Sequence, residues 1–224
     1  MKIPLFILAF FAIDFALVTS YFIDYLLGNP IWILTRFLDL DRESSLPTWY
    51  SSVQWFSVAA LLAIFARHNF RRSQFKSWLL IMLPGVFLAF SLDEIAMLHE
   101  RIGMAIDSFS RRDTRFPVTG IWMFVIGVPF IILFGVIILV IRTYFRRAPN
   151  AFNKIVLGMG ITLAGALGVE TLSNFVEPDS VDRTLLIMAE EFCEMLGGTI
   201  VLWGSYESLR SEDMVQLSPI SRHE

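Results

Sequence analysis

The sequence predicts an all-α polytopic membrane protein with six transmembrane helices. Three observations carry that expectation. The 224 residues are 55% hydrophobic, with a mean hydropathy of +0.62, which is too apolar for an ordinary water-soluble domain. The apolar segments are long and continuous rather than alternating, which favours helices over strands as spanning elements. Basic residues gather in alternate connections, the pattern left by a chain that crosses a membrane repeatedly.

In order, the expected spans are 4–27, 50–67, 77–99, 119–142, 155–175 and 184–206. The first resembles a signal peptide, but Asp14 interrupts its apolar run, which continues to Leu27, so it reads as an uncleaved span. Between the first two spans, Asn29-Pro30 is a helix start and Trp32, Phe37, Leu38 and Leu40 suggest a short interfacial helix. Trp49 and Tyr50 suit the membrane boundary. Pro84-Gly85 in the third span and Gly127-Val128-Pro129 in the fourth are expected kinks. Residues 1–210 read as one transmembrane domain and 211–224 as a cytoplasmic tail.

Orientation follows from charge. Arg67, Arg71, Arg72 and Lys76 follow span two, and Arg142, Arg146, Arg147 and Lys154 follow span four. Placing both groups in the cytoplasm puts both termini there too, with eleven basic residues inside and seven outside. The outer set includes Arg111, Arg112 and Arg115, which suit lipid phosphates or a solvated turn.

Seven carboxylates then stand out: Asp93, Glu94 and Glu100 in SLDEIAMLHE, Glu170 in GVETLSN, and Glu190, Glu191 and Glu194 in EEFCEMLGG. A charge at the bilayer centre costs roughly 2.5–3.5 kcal/mol on insertion scales, so such residues face a protein interior. The topology places all three groups in one layer near the outer leaflet. Asp93 and Glu100, seven apart, are expected on one face of the third span, as are Glu190 and Glu194, four apart, on the sixth. Gly160, Ala164 and Gly168 form a small-residue stripe on span five, and Gly197-Gly198 follows Glu194, so spans three, five and six are expected to pack closely.

No Lys or Arg lies inside those three spans. A divalent metal ion would offset several of these charges, with Asp93, Glu94, His99, Glu170, Glu190, Glu191 and Glu194 as ligands or close supports and Glu100 as general base. Carboxylates with one imidazole suit Zn, Fe or Mn, and an all-oxygen set suits Ca. Proton sharing within the cluster and a structural polar network are the alternatives. The chain lacks the Glu-x-x-His pairs of ferritin-like di-metal bundles. Cys193, the single cysteine, reads as a packing residue. Asp39, Asp41 and Glu43 alternate as cation ligands do, but Ser44 and Tyr50 stand where a calcium loop needs Gly and Glu, so this segment reads as solvated.

The stretches DLDRESSLPTWYSS, SLDEIAMLHE and EEFCEMLGG together resemble an uncharacterised family of bacterial multi-pass membrane proteins. That resemblance implies a bacterial inner-membrane location and includes the acidic residues and His99 in its pattern, with no assigned activity. Leu92-Asp93-Glu94 also resembles the Leu-Asp-Glu stretch of alkaline ceramidases, membrane zinc hydrolases whose histidine triad is missing here. Three functions fit: a metal-dependent enzyme acting on a membrane lipid or other apolar substrate, a proton- or ion-coupled transporter, and an accessory subunit of a larger membrane complex. A membrane-protein partner or a second copy of the chain is compatible with each. The net charge of −3 and the lack of a basic domain exclude nucleic acid.

Overall fold

Long apolar runs satisfy their own backbone hydrogen bonds only as helices, and helices are what the chain forms. The structure is a computed structural model describing residues 2–110, 123–177 and 180–217; the side chains of Glu100 and of residues 107–110 and 212–217 lie outside the described set. Among the described residues there is no strand. The helices are α1 (Leu5–Leu26), α2 (Trp32–Leu38), α3 (Leu46–Asn69), α4 (Phe75–Ala96), α5 (Leu98–Ser110), α6 (Val128–Ile141), α7 (Pro149–Leu163), α8 (Glu170–Ser173) and α9 (Val181–Leu217). A π-helical turn, Met123–Gly127, leads into α6, and a second, Ala164–Val169, joins α7 to α8.

Five helical stretches are long and apolar enough to cross a membrane: Leu5–Leu26, Leu46–Asn69, Phe75–Ala96, Met123–Phe145 and Pro149–Ser173. The expected six are therefore five by length and composition among the described residues. The sixth candidate is part of α9, a 37-residue helix whose polar residues dilute its hydropathy. It packs against α1, α3 and α7 and so occupies the middle of the bundle.

Local signals set several boundaries. Ser45 caps α3, its hydroxyl accepting from the Thr48 amide at 3.4 Å, with Pro47 in the first turn. Gly28 and Asn29 adopt φ of 76° and 56°, reversing the chain between α1 and α2. The third expected span ends early: Met97 takes φ 52° and terminates α4. His99 and Glu100 consequently start α5, and Asp93 and Glu100 do not share one helix face. The expected third connection is helical up to Ser110, while Arg111, Arg112 and Arg115 lie outside the described residues.

Lipid tails are as apolar as Leu, so close packing and polar ties hold such a bundle together. Trp55 of α3 stacks on Phe87 of α4 at 5.7 Å, and Phe87 meets Phe134 of α6 edge-on at 6.2 Å. Ser52 donates to the Ser91 carbonyl at 2.7 Å, tying α3 to α4. The α7–α9 crossing brings the two backbones into close approach at glycines. A Cβ on Gly158 would stand 2.6 Å from the Gly197 carbonyl oxygen, and one on Gly204 2.7 Å from that of Ala151. The expected stripe of Gly160, Ala164 and Gly168 is corrected here: Gly160 and Gly168 face open space, and the crossing uses Gly158, Thr162 and Gly165 instead. Both registers satisfy small-residue spacing, and only the position of α9 selects between them.

Candidate functional site

The helices alternate in direction, which brings sequence-distant ends together. The C-terminal end of α4, the start of α5, the N-terminal ends of α3 and α6, the end of α7 and the first half of α9 surround one cavity of about 360 Å³. Asp93 and Glu94 reach it from α4, His99 from α5, Glu170 from α8, and Glu190, Glu191 and Glu194 from α9. Glu100 is in α5, and its side chain lies outside the described residues.

The pairings are local and specific. His99 Nδ1 lies 2.6 Å from Asp93 Oδ2, and the His99 amide donates to Asp93 Oδ1 at 2.9 Å. One carboxylate thus caps the start of α5 and orients the imidazole. With Asp93 accepting from Nδ1–H, Nε2 carries the ring's lone pair. The Trp55 indole hydrogen-bonds Glu94, which also interacts electrostatically with Glu43 and Asp93. Glu194 interacts with Glu191, Glu94, Glu190 and Glu170. Neighbouring like charges repel, so the cluster requires protons or cations from outside its own members.

Several contributors were not apparent from sequence. Asp41 and Glu43 line the cavity together with Arg42, so the segment expected to be a solvated loop forms part of the wall. Arg183 Nη2 is 4.0 Å from Asp41 Oδ1. Beside these residues, burial raises the Asp39 carboxyl above its ordinary range. Thr162 also lines the cavity, 7% exposed, and its buried hydroxyl has no hydrogen-bond partner among the described residues. Phe90, Ile126, Phe130, Leu163 and Leu167 form an apolar wall. The π-helical turns contribute Ile126 and Gly127 on one side and Ala166 and Leu167 on the other. Such turns often occur at functional sites because they shift the helical phase of the residues that follow. Cys193 sits beside Gly165 at the α7–α9 crossing, where a Cβ on that glycine would come within 2.9 Å of its own, consistent with packing.

Among the described residues, no group of three or more His, Cys, Asp and Glu side chains is arranged to hold a metal ion. The expected ligands share a cavity without forming a coordination sphere.

Below the cavity lies a second polar cluster. Asp14 is fully buried; Tyr50 donates to its Oδ1 at 2.7 Å, Gln54 to the same oxygen at 3.2 Å, and Thr199 to Oδ2 at 2.8 Å. This network joins α1, α3 and α9. The one sequence signal for it was a lone carboxylate inside the first span; nothing local identified its three donors.

Membrane-length helices around a polyacidic cavity with an apolar wall define the class: an all-helical protein of membrane-protein character with an acidic cavity at one end. Within that class, the profile of a family described as Domain of unknown function (DUF8692) matches residues 5–208, and the chain belongs to that family. No curated protein and no solved structure matches the chain.

Proposed function

We propose that the cavity binds a divalent metal ion and that the protein is a metal-dependent membrane enzyme acting on a lipid or other apolar substrate near the outer leaflet. In this reading α9 is the sixth span, α2 lies in the membrane interface, and both termini are cytoplasmic in a bacterial inner membrane. The observation that carries the proposal is the meeting of three sequence-distant acidic groups and His99 on one cavity. Carboxylates from Asp41, Glu43, Asp93, Glu94, Glu170, Glu190, Glu191 and Glu194 line it, against the guanidinium groups of Arg42 and Arg183. A divalent ion offsets such an excess and, when bound, supplies Lewis acidity. Ligation requires rotation of the Glu side chains toward the cavity centre, since they do not yet converge. Asp93 orients the His99 ring through Nδ1, and a neutral ring donating there has Nε2 as its basic nitrogen. The apolar wall of Phe90, Phe130 and Leu167 takes the hydrophobic part of the substrate. Glu100, next to His99 in α5, is the proposed general base.

Elemental analysis of the purified protein tests this. The expected result is a stoichiometric divalent metal that is lost when Glu190→Ala and Glu194→Ala are combined. Wild-type protein free of Zn, Fe, Mn and Ca sinks the proposal; metal retained by the double variant moves the site elsewhere.

A second reading, ion- or proton-coupled transport, is favoured by Asp14, an ionisable group fully buried beside the cavity between α1, α3 and α9. It predicts a pH-dependent flux in liposomes that Asp14→Asn reduces. Equal flux from protein-free and protein-containing liposomes across all ion gradients tried removes this reading.

A further inference from the structure

The opposite end of the bundle carries a second cavity, independent of the acidic one. It has a volume of about 430 Å³ and lies where α6 ends and α7 begins. Arg142, Thr143, Arg146 and Asn153 supply its polar lining, with Leu139 and Phe152 among the apolar members. We propose that this cavity binds the headgroup of an anionic phospholipid from the surrounding membrane.

Four features point to that occupant. The first is charge. Arg142 and Arg146 both line the cavity, and the acid described at this end, Glu207, is already held 2.7 Å from Lys154. Among the described residues, no acidic side chain lines the cavity itself. The second is preorganisation: the Arg142 guanidinium sits 5.9 Å from the centre of the Phe152 ring, which limits its freedom before any ligand arrives. The third is the start of α7. That 15-residue helix has no side-chain cap, and its first residue, Pro149, lines the cavity, so its N-terminal dipole favours an anion there. Together these groups offer a phosphodiester bidentate guanidinium contacts and the side-chain amide of Asn153.

The fourth feature selects a lipid over a soluble anion. The stretches Met123–Phe145 and Pro149–Ser173 are both of membrane-crossing length and composition, so the turn between them lies at a membrane boundary. Leu139, one turn before Arg142, is 71% exposed on the apolar flank of α6 and lines the same cavity. An acyl chain along Leu139 therefore leads directly to a headgroup between Arg142 and Arg146. Basic pockets between helices at the membrane surface suit anionic headgroups for this reason.

Native mass spectrometry of the full-length protein with phosphatidylglycerol or phosphatidylcholine provides the test. Wild-type protein is expected to retain phosphatidylglycerol at activation energies that strip phosphatidylcholine. Combining Arg142→Gln with Arg146→Gln is expected to weaken that preference by about fivefold for each arginine removed. Combining Arg71→Gln with Arg72→Gln, at the same end but outside the cavity, should leave it unchanged. Equal retention of the two lipids by wild type overturns the proposal, as does an equal loss in both double variants, which would indicate diffuse surface charge. Displacement of the lipid by millimolar inorganic phosphate assigns the cavity to a soluble anion and also overturns it. Should the Arg142/Arg146 variant fail to fold, Arg146→Gln alone takes its place: a loss of about fivefold is expected, and no loss overturns the proposal.

Discussion

Gly197→Ala lowers the stability of the purified protein by on the order of 3 kcal/mol or more. A Cβ at that position collides with the Thr162 hydroxyl and stands 2.6 Å from the Gly158 carbonyl oxygen and 2.8 Å from the Thr162 amide nitrogen. Two of those three atoms are backbone, so no rotamer change relieves the clash. The helices must separate, and in lipid the close approach of helix backbones is itself a main source of stability. The matched control is Gly160→Ala, on the same helix as Gly158 but facing open space. It leaves stability unchanged or raises it by up to about 1 kcal/mol through helix propensity. Thermal unfolding in detergent compares the two; similar midpoints for both variants would show that the α7–α9 crossing is not where the structure places it.

Asp14→Ala costs roughly 3 kcal/mol, from a new void and from donors left unpaired in the interior. Tyr50 retains an alternative acceptor in the Phe10 carbonyl, 3.0 Å away, and Gln54 retains the Met195 carbonyl at 3.2 Å. Among the described residues Asp14 Oδ2 is the one acceptor of the Thr199 hydroxyl, which therefore carries much of the loss. Asp14→Asn preserves volume and one acceptor oxygen and should cost about 1 kcal/mol. The order Ala worse than Asn, read from unfolding midpoints, checks the network. Asp14→Ala as stable as wild type would mean that α1 docks through apolar packing alone.

These two predictions mark how far the sequence was legible. Long apolar segments show their helical nature because each must satisfy its backbone internally, whatever it later packs against. The acidic layer was legible for a related reason: alternating direction along the chain places the ends of α4 and α7 and the start of α9 at one level. Residues 39–43 were misread because an alternating acidic segment looks the same whether it faces water or a cavity wall, and Asp41 and Glu43 face the cavity. The stripe along α7 and the π-helical turn after it was misread by two or three residues for a similar reason. Small residues occur on two faces of that helix, at Gly158 and Gly165 and at Gly160 and Gly168, and spacing cannot tell which one meets a neighbour. The break at Met97 had no strong signal, since neither Gly nor Asn marks the left-handed residue there.

By itself, the sequence determined an all-helical chain with membrane-length apolar segments and three acidic groups at one end, because hydropathy, segment length and charge are properties of short stretches. The tertiary structure alone decided that these groups share one cavity with Asp41, Glu43 and Arg183, that Asp14 is held by Tyr50, Gln54 and Thr199, and that Gly158 rather than Gly160 meets α9. Each of those facts depends on the rotation of one helix against another, which is set by packing between residues up to 185 positions apart.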